Sequence, residues 1–141
     1  MGKEFTMVII KPGAVREGVA GNIIGRFEKT GMTIEKMELD KYSRAVIEEL
    51  YKEHREKEFY EDLIQTIADE RIVVMILSGQ EGIIQKVRKM NGATNPLLAA
   101  PGTIRGDYGC SFGSDNVVHA SDSRESAVRE INIFFPDFLD K

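Results

Sequence analysis

The chain has 141 residues, of which 42% are hydrophobic and 30% charged, and its formal net charge is −4. That length and balance describe one folded domain able to bury its own core, and they exclude a disordered chain. The acidic balance repels duplex nucleic acid and anionic membranes, so a phosphate-binding site would have to come from local clustering of basic groups.

Phe5 to Lys11 is an almost continuous apolar run closed by Pro12-Gly13, which predicts a first strand covered on at least one face and ending in a turn. Asn22 to Lys29 places Ile23, Ile24 and Phe27 on one side of a helix that stops at Gly31. Thr33 to Leu39 alternates imperfectly, as a half-exposed strand does. Ser43 is suited to cap a helix with Val46, Ile47 and Leu50 on its buried stripe. After the polar cluster His54 to Glu58, a second helical stretch runs from Phe59 to Ala68, and the two predict a hairpin. Arg71 to Leu77 reads as a central strand, and Gln80 to Met90 as a helix ending at Asn91-Gly92. From Asn91 to Asp115 no period persists across two prolines and five glycines, and a punctuated loop of that length usually carries function. Asn116 to His119 predicts a last strand. A last helix follows to about Phe135, with Ser121 or Ser123 as its cap and Ala127, Ile131 and Phe134 at helical spacing. This order suggests one open sheet with helices on one face. No apolar run reaches the length of a membrane span, the N-terminal residues are short and acidic for a signal peptide, and the lone Cys110 has no internal disulfide partner. A cytoplasmic protein is the expectation.

His119 falls where a strand meets a helix N-terminus, a place that favours anions. Lys11, Arg55, Arg88 and Arg105 all fall at element ends or in loops. Together with Thr94, Asn116 and His119 they could form a phosphate cradle, although any one of them taken alone reads more readily as a solvated surface charge. Neither of the common glycine-rich phosphate loops is present. Glu130, eleven positions after His119, could fold back onto the imidazole, fix its tautomer and leave the other ring nitrogen as a nucleophile. Gly109-Cys110-Ser111-Phe112-Gly113 matches a hydrolase nucleophile elbow, but it lies within the irregular loop rather than between a strand and a helix, so chance accounts for it.

Three separated motifs in fixed order give these residues a context: Ile10-Lys11-Pro12, then Gly92-Ala93-Thr94-Asn95-Pro96 with Pro101 to Asp107, then Asn116-Val117-Val118-His119-Ala120-Ser121-Asp122-Ser123. With them the chain resembles the nucleoside diphosphate kinases over nearly its whole length. The resemblance implies a single α+β domain over residues 1–141, a ferredoxin-like βαββαβ antiparallel sheet with additional helices. It implies transfer of a γ-phosphoryl group from a nucleoside triphosphate to a nucleoside diphosphate through a phosphohistidine at His119, with little base selectivity. In that comparison Glu130 holds the far ring nitrogen, and Ser121 hydrogen-bonds around the same site. Lys11, Tyr51, Arg88, Thr94, Arg105 and Asn116 bind sugar and phosphates. Phe59, with Phe112 opposite, stacks on the base. Mg2+ arrives with the nucleotide and Asp122 reaches its water shell. A homohexamer packed through the loop Gly92 to Ser114 is implied, with a tetramer or a dimer as the alternatives, and with no membrane and no nucleic acid as a required partner.

The sequence departs from that pattern in places. Gly13 stands where the family usually has aspartate, Ala120 where it commonly has glycine, and Gly113-Ser114-Asp115 is one residue longer than in many relatives. A nucleic-acid-binding module and an inactive scaffold are the competing readings. The acidic charge and the lack of paired strand aromatics count against the first, and Gly13 keeps the second open.

Overall fold

Residues Met7 to Ile10 are all inaccessible to solvent. Because neighbours along a strand point to opposite faces, β1 (Lys3–Ile10) must therefore be covered on both sides. The structure, a computed structural model that describes residues 2–109 and 115–140, shows how. β1 is central in a four-stranded sheet with β2 (Thr33–Lys41), β3 (Arg71–Gln80) and β4 (Val118–Ala120), in the order β2-β3-β1-β4. Every pairing is antiparallel, and Ile9 lies opposite His119. The ferredoxin-like expectation holds.

The helices do not lie on one face. α2 (Ala20–Glu28) and α5 (Ile83–Asn91) bury Ile23, Phe27, Ile83 and Val87 against Val8, Ile10, Val73, Met75 and Leu77. On the opposite face α3 (Arg44–Leu50), α4 (Tyr60–Ile67) and α7 (Arg124–Phe134) bury Ile47, Leu50, Ile64, Ile67 and Ile131 against Met7, Ile9, Ile72, Val74 and Ile76. Two cores thus sandwich the sheet, which is why β1 and β3 read as unbroken apolar runs rather than alternating ones. β2 and β4 are the two edge strands, and β2 exposes Met37 and Leu39.

Other boundaries moved for local reasons. Pro12-Gly13 is not a bare turn but opens α1 (Pro12–Arg16), with proline where a helix needs no N–H. β3 continues to Gln80, and α5 starts only after Gly82, whose φ is 101°. The long loop contains α6 (Ile104–Tyr108), capped by the Thr103 side chain. Ser123, not Ser121, caps α7 by accepting the Ser126 N–H. The elbow-like residues Cys110 and Ser111 lie outside the described residues.

Candidate active site

β4 brings His119 beside the end of β1, and α7 brings Glu130 beneath it. His119 Nε2 donates to Glu130 Oε1 at 2.9 Å, and Ser121 Oγ donates to the same oxygen at 2.9 Å. A carboxylate has only acceptors, so Glu130 fixes the proton on Nε2 and leaves Nδ1 with its lone pair. The clamp is rigid because Glu130 is 4% exposed and Ser121 is fully buried. Ser121 is itself stitched to β1, its Oγ accepting the Met7 N–H at 3.2 Å. The Tyr51 ring stands edge-on to the imidazole, 5.4 Å between centroids.

His119 opens onto a cleft of about 580 Å3 that is also lined by Lys11, Tyr51, Phe59, Arg88, Thr94, Arg105, Asn116, Asp122 and Glu130. At its floor Lys11 Nζ donates to Asn116 Oδ1 at 2.6 Å, and Asn116 Nδ2 donates to the Thr94 carbonyl at 2.7 Å. Burial, reinforced by the positive charge of Arg105, pushes the Lys11 ammonium down to about 7, with Asp115 opposing. Burial and then Arg88 push Arg105 down to about 10, so it stays cationic at neutral pH. Cations that depress one another in this way favour an anion among them.

Arg105 has a second task. It donates to the carbonyls of Asn116 at 3.0 Å, Gly92 at 2.9 Å and Val118 at 2.6 Å. Between two of these carbonyls, Val117 has φ 78°, and the Val118 N–H donates to the Asn116 carbonyl at 3.0 Å. That is a γ-turn with positive φ at a β-branched residue, a strained form that the surrounding contacts must hold. Gly92, at φ 84°, leaves no room for a side chain either, since a Cβ would sit 2.5 Å from Thr103 Oγ1.

Among the described residues, four buried polar side-chain atoms lack a hydrogen-bond partner, and three of them, Tyr51 Oη, His54 Nδ1 and Asn91 Oδ1, belong to residues that line this cleft. Buried polar groups are normally satisfied, so their clustering points to a polar ligand there. Residues 4–139 match the family described as nucleoside diphosphate kinase. The chain belongs to the nucleoside diphosphate kinase family.

A nucleoside diphosphate kinase of Pyrococcus horikoshii is 52% identical over 134 residues, covering 94% of this chain and 85% of that protein. A solved halophilic nucleoside diphosphate kinase from Halobacterium salinarum, in complex with CDP, superposes with a TM-score of 0.91 at 36% identity, covering 96% of this chain and 90% of its own. A transition state mimic of the Borrelia burgdorferi nucleoside-diphosphate kinase, with bound vanadate and ADP, gives 0.88 at 34% identity, with coverage of 94% and 87%.

Against this nucleoside diphosphate kinase background the expected residues fall together with few exceptions. Ser121 lies behind Glu130 rather than on the cleft, and Arg55 is exposed and does not line it. Phe112 lies outside the described residues. His54 and Asn91 line the cleft but were not singled out from the sequence. His54 sat in a charged run that reads as solvated surface, and Asn91 looked like a helix end. The signal that could have found His54 is its place between two aromatics, with Tyr51 at 6.2 Å and Phe59 at 5.5 Å. Burial, with Lys57 nearby, lowers His54 below the usual histidine range, so it faces the cleft as a neutral ring near pH 7. Hydrogen bonding from Ser126 holds the Asp122 carboxyl below the usual carboxylate range. Among the described residues no three His, Cys, Asp or Glu side chains gather to hold a metal. Glu53, Asp62, Asp122 and Glu130 line the cleft without three of them gathering at one point, which fits a hard cation that brings its own phosphate oxygens better than a resident ion.

Proposed function

We propose that this chain moves the γ-phosphoryl group of a nucleoside triphosphate onto His119 and then onto a nucleoside diphosphate. The observation that carries the reading is the Glu130 contact to Nε2, which leaves Nδ1 as the nucleophile at a cationic cleft. In the first half-reaction the Nδ1 lone pair forms the N–P bond and the bond to the bridging β-phosphate oxygen breaks. The Nε2 proton stays in place, and the positive charge that grows on the ring is met by Glu130. The second half-reaction reverses these changes on a second nucleotide. Lys11, Arg88 and Arg105 supply charge for the phosphates, and Thr94, Tyr51 and Asn116 supply polar contacts to phosphate and sugar. Mg2+ carried on the nucleotide would neutralise phosphate charge, with Asp122 the residue to meet its water shell.

Phe59 is 48% exposed at the cleft, where a ring face can stack on any base. The relatives with CDP and ADP bound support this tolerance. A homohexamer is part of the proposal. It is supported by Leu97 at 59% and Leu98 at 77% exposure in the long loop and by the exposed apolar edge of β2. Residues 1–141 then act as one catalytic unit. Among the described residues no helix is long and apolar enough to cross a membrane, and a cytoplasmic place is proposed with the rest.

The test is brief incubation of the folded protein with γ-labelled ATP and Mg2+. An acid-labile, base-stable phosphoprotein is expected, and its label should pass to GDP and CDP alike. A folded protein that takes up no label overturns the reading in favour of a scaffold, and salt-sensitive RNA binding would favour the nucleic-acid module. Arg88 is exposed, so Arg88→Ala should weaken ADP binding roughly tenfold with little change in melting temperature. Arg105→Ala should weaken binding and also cost about 2–4 kcal/mol, because three carbonyls lose a charged donor. Titration calorimetry and denaturant unfolding check both. Equal stability of the two variants would contradict the clamping role of Arg105.

A further inference from the structure

Asp115 stands immediately before Asn116 and does not line the cleft. Its Oδ1 accepts the Gly13 N–H at 3.0 Å, and its Oδ2 meets Arg16 Nη2 at 3.2 Å. A Cβ at position 13 would lie 2.8 Å from that carboxylate, so the missing side chain is what admits it. Beside this anchor Lys11 Nζ donates to Asn116, and the Lys11 N–H donates to the Val117 carbonyl at 2.8 Å. Residues 11–13 are therefore laced to residues 115–117 by consecutive contacts, with Asp115 at one end and the strained Val117 turn at the other.

We propose that Asp115 is a positioning residue for phosphoryl transfer: docked on the Gly13 N–H, it sets the register of residues 11–13 against 115–117 and places a counter-charge behind Lys11. This role rests on the phosphotransfer reading above. The carboxylate that meets the Gly13 N–H comes from 102 positions along the chain, and only a glycine at position 13 leaves room for it.

The charges around Lys11 give the role a readout that a merely structural contact would not move. Arg105 of α6 disfavours its ammonium form and Asp115 favours it. Arg88 of α5, His119 of β4, Asp122, Glu130 of α7, Asp62 of α4, and Tyr51, Glu53 and His54 beyond α3 are the other titratable residues that line the cleft. Arg16, which itself reaches Glu70 at 3.4 Å, partners Asp115 on the solvent side. Removing the Asp115 charge should therefore make Lys11 lose its proton at lower pH.

The experiment measures the pH profile of kcat/KM together with the titration of Lys11 by 13Cε NMR, in the wild type, Asp115→Asn and Asp115→Ala. Asp115→Asn keeps an acceptor for the Gly13 N–H and should hold most of the activity at low pH. Its alkaline limb and its Lys11 titration should both move to lower pH by about half a pH unit or more. Asp115→Ala should show the same move plus a roughly 10-fold or greater fall in kcat/KM. Should either variant fail to fold, Gly13→Asp combined with Asp115→Gly returns the carboxylate from the other side, and recovery of both readouts toward the wild type is expected. Normal transfer by the wild type with neither the limb nor the Lys11 titration moving in the folded variants overturns the role of Asp115 alone. A wild type incapable of transfer, with a Lys11 titration that still moves in the folded variants, overturns the kinase reading, and the positioning role of Asp115 in that reaction with it.

Discussion

Replacing His119 with alanine is expected to lower phosphoryl transfer by at least about 10^4-fold and to abolish the acid-labile label, while the chain stays folded. The size of the effect follows from the route: without an acceptor the transfer would need two nucleotides in one site, and the remaining cations supply only charge stabilisation. The fold should survive because the imidazole is only partly buried, and Glu130 keeps the Ser121 donor and lies 3.9 Å from Arg129. Label uptake by rapid quench and far-UV circular dichroism on the same sample check the prediction. More than about one part in a hundred of wild-type label in the folded variant would show that another side chain accepts the phosphate.

Lys11→Met is expected to trade activity for stability. Activity should fall about 10^2 to 10^3-fold as one phosphate-facing cation is lost. Stability should move the other way, with a sign set by pH. The lysine titrates near its ordinary 10.5 in the unfolded chain and near 7 when folded, because burial and Arg105 disfavour its charge. Between those values the unfolded chain binds more protons, so wild-type stability rises with pH across that window. Below pH 7 the full penalty, on the order of 4 kcal/mol, is present. Methionine removes this penalty but leaves Asn116 Oδ1 without its donor, a loss of about 1–3 kcal/mol. A net gain of about 1–3 kcal/mol is therefore expected at pH 6, shrinking to nothing or reversing by pH 10. Urea unfolding at the two pH values decides it, and a stability difference that does not depend on pH would mean that Lys11 is not strained by burial.

Much of this was legible in the chain itself. The runs Met7–Ile10 and Ile72–Leu77 announced central strands, and the three motifs around Lys11, Thr94 with Arg105, and His119 named the members of the cleft. The second helical layer was missed although those same runs carried it, since only a sheet covered on both faces leaves no polar alternation. Three other features were beyond local reading because each depends on partners far along the chain. Arg105 looks like any loop cation until three carbonyls converge on it, and Val117 looks like ordinary strand until its neighbours force a positive φ. Gly13 looks like a defect until Asp115 occupies the space.

β4 has only three residues and its one strand partner is β1, its Asn116 lead-in meeting Lys11 from 105 positions away. His119 therefore has no oriented form until β1 and β4, distant from each other in the sequence, are paired in the sheet. A partly folded chain with β4 unpaired lacks the oriented imidazole, so the cleft is assembled only when two distant stretches of the sequence meet.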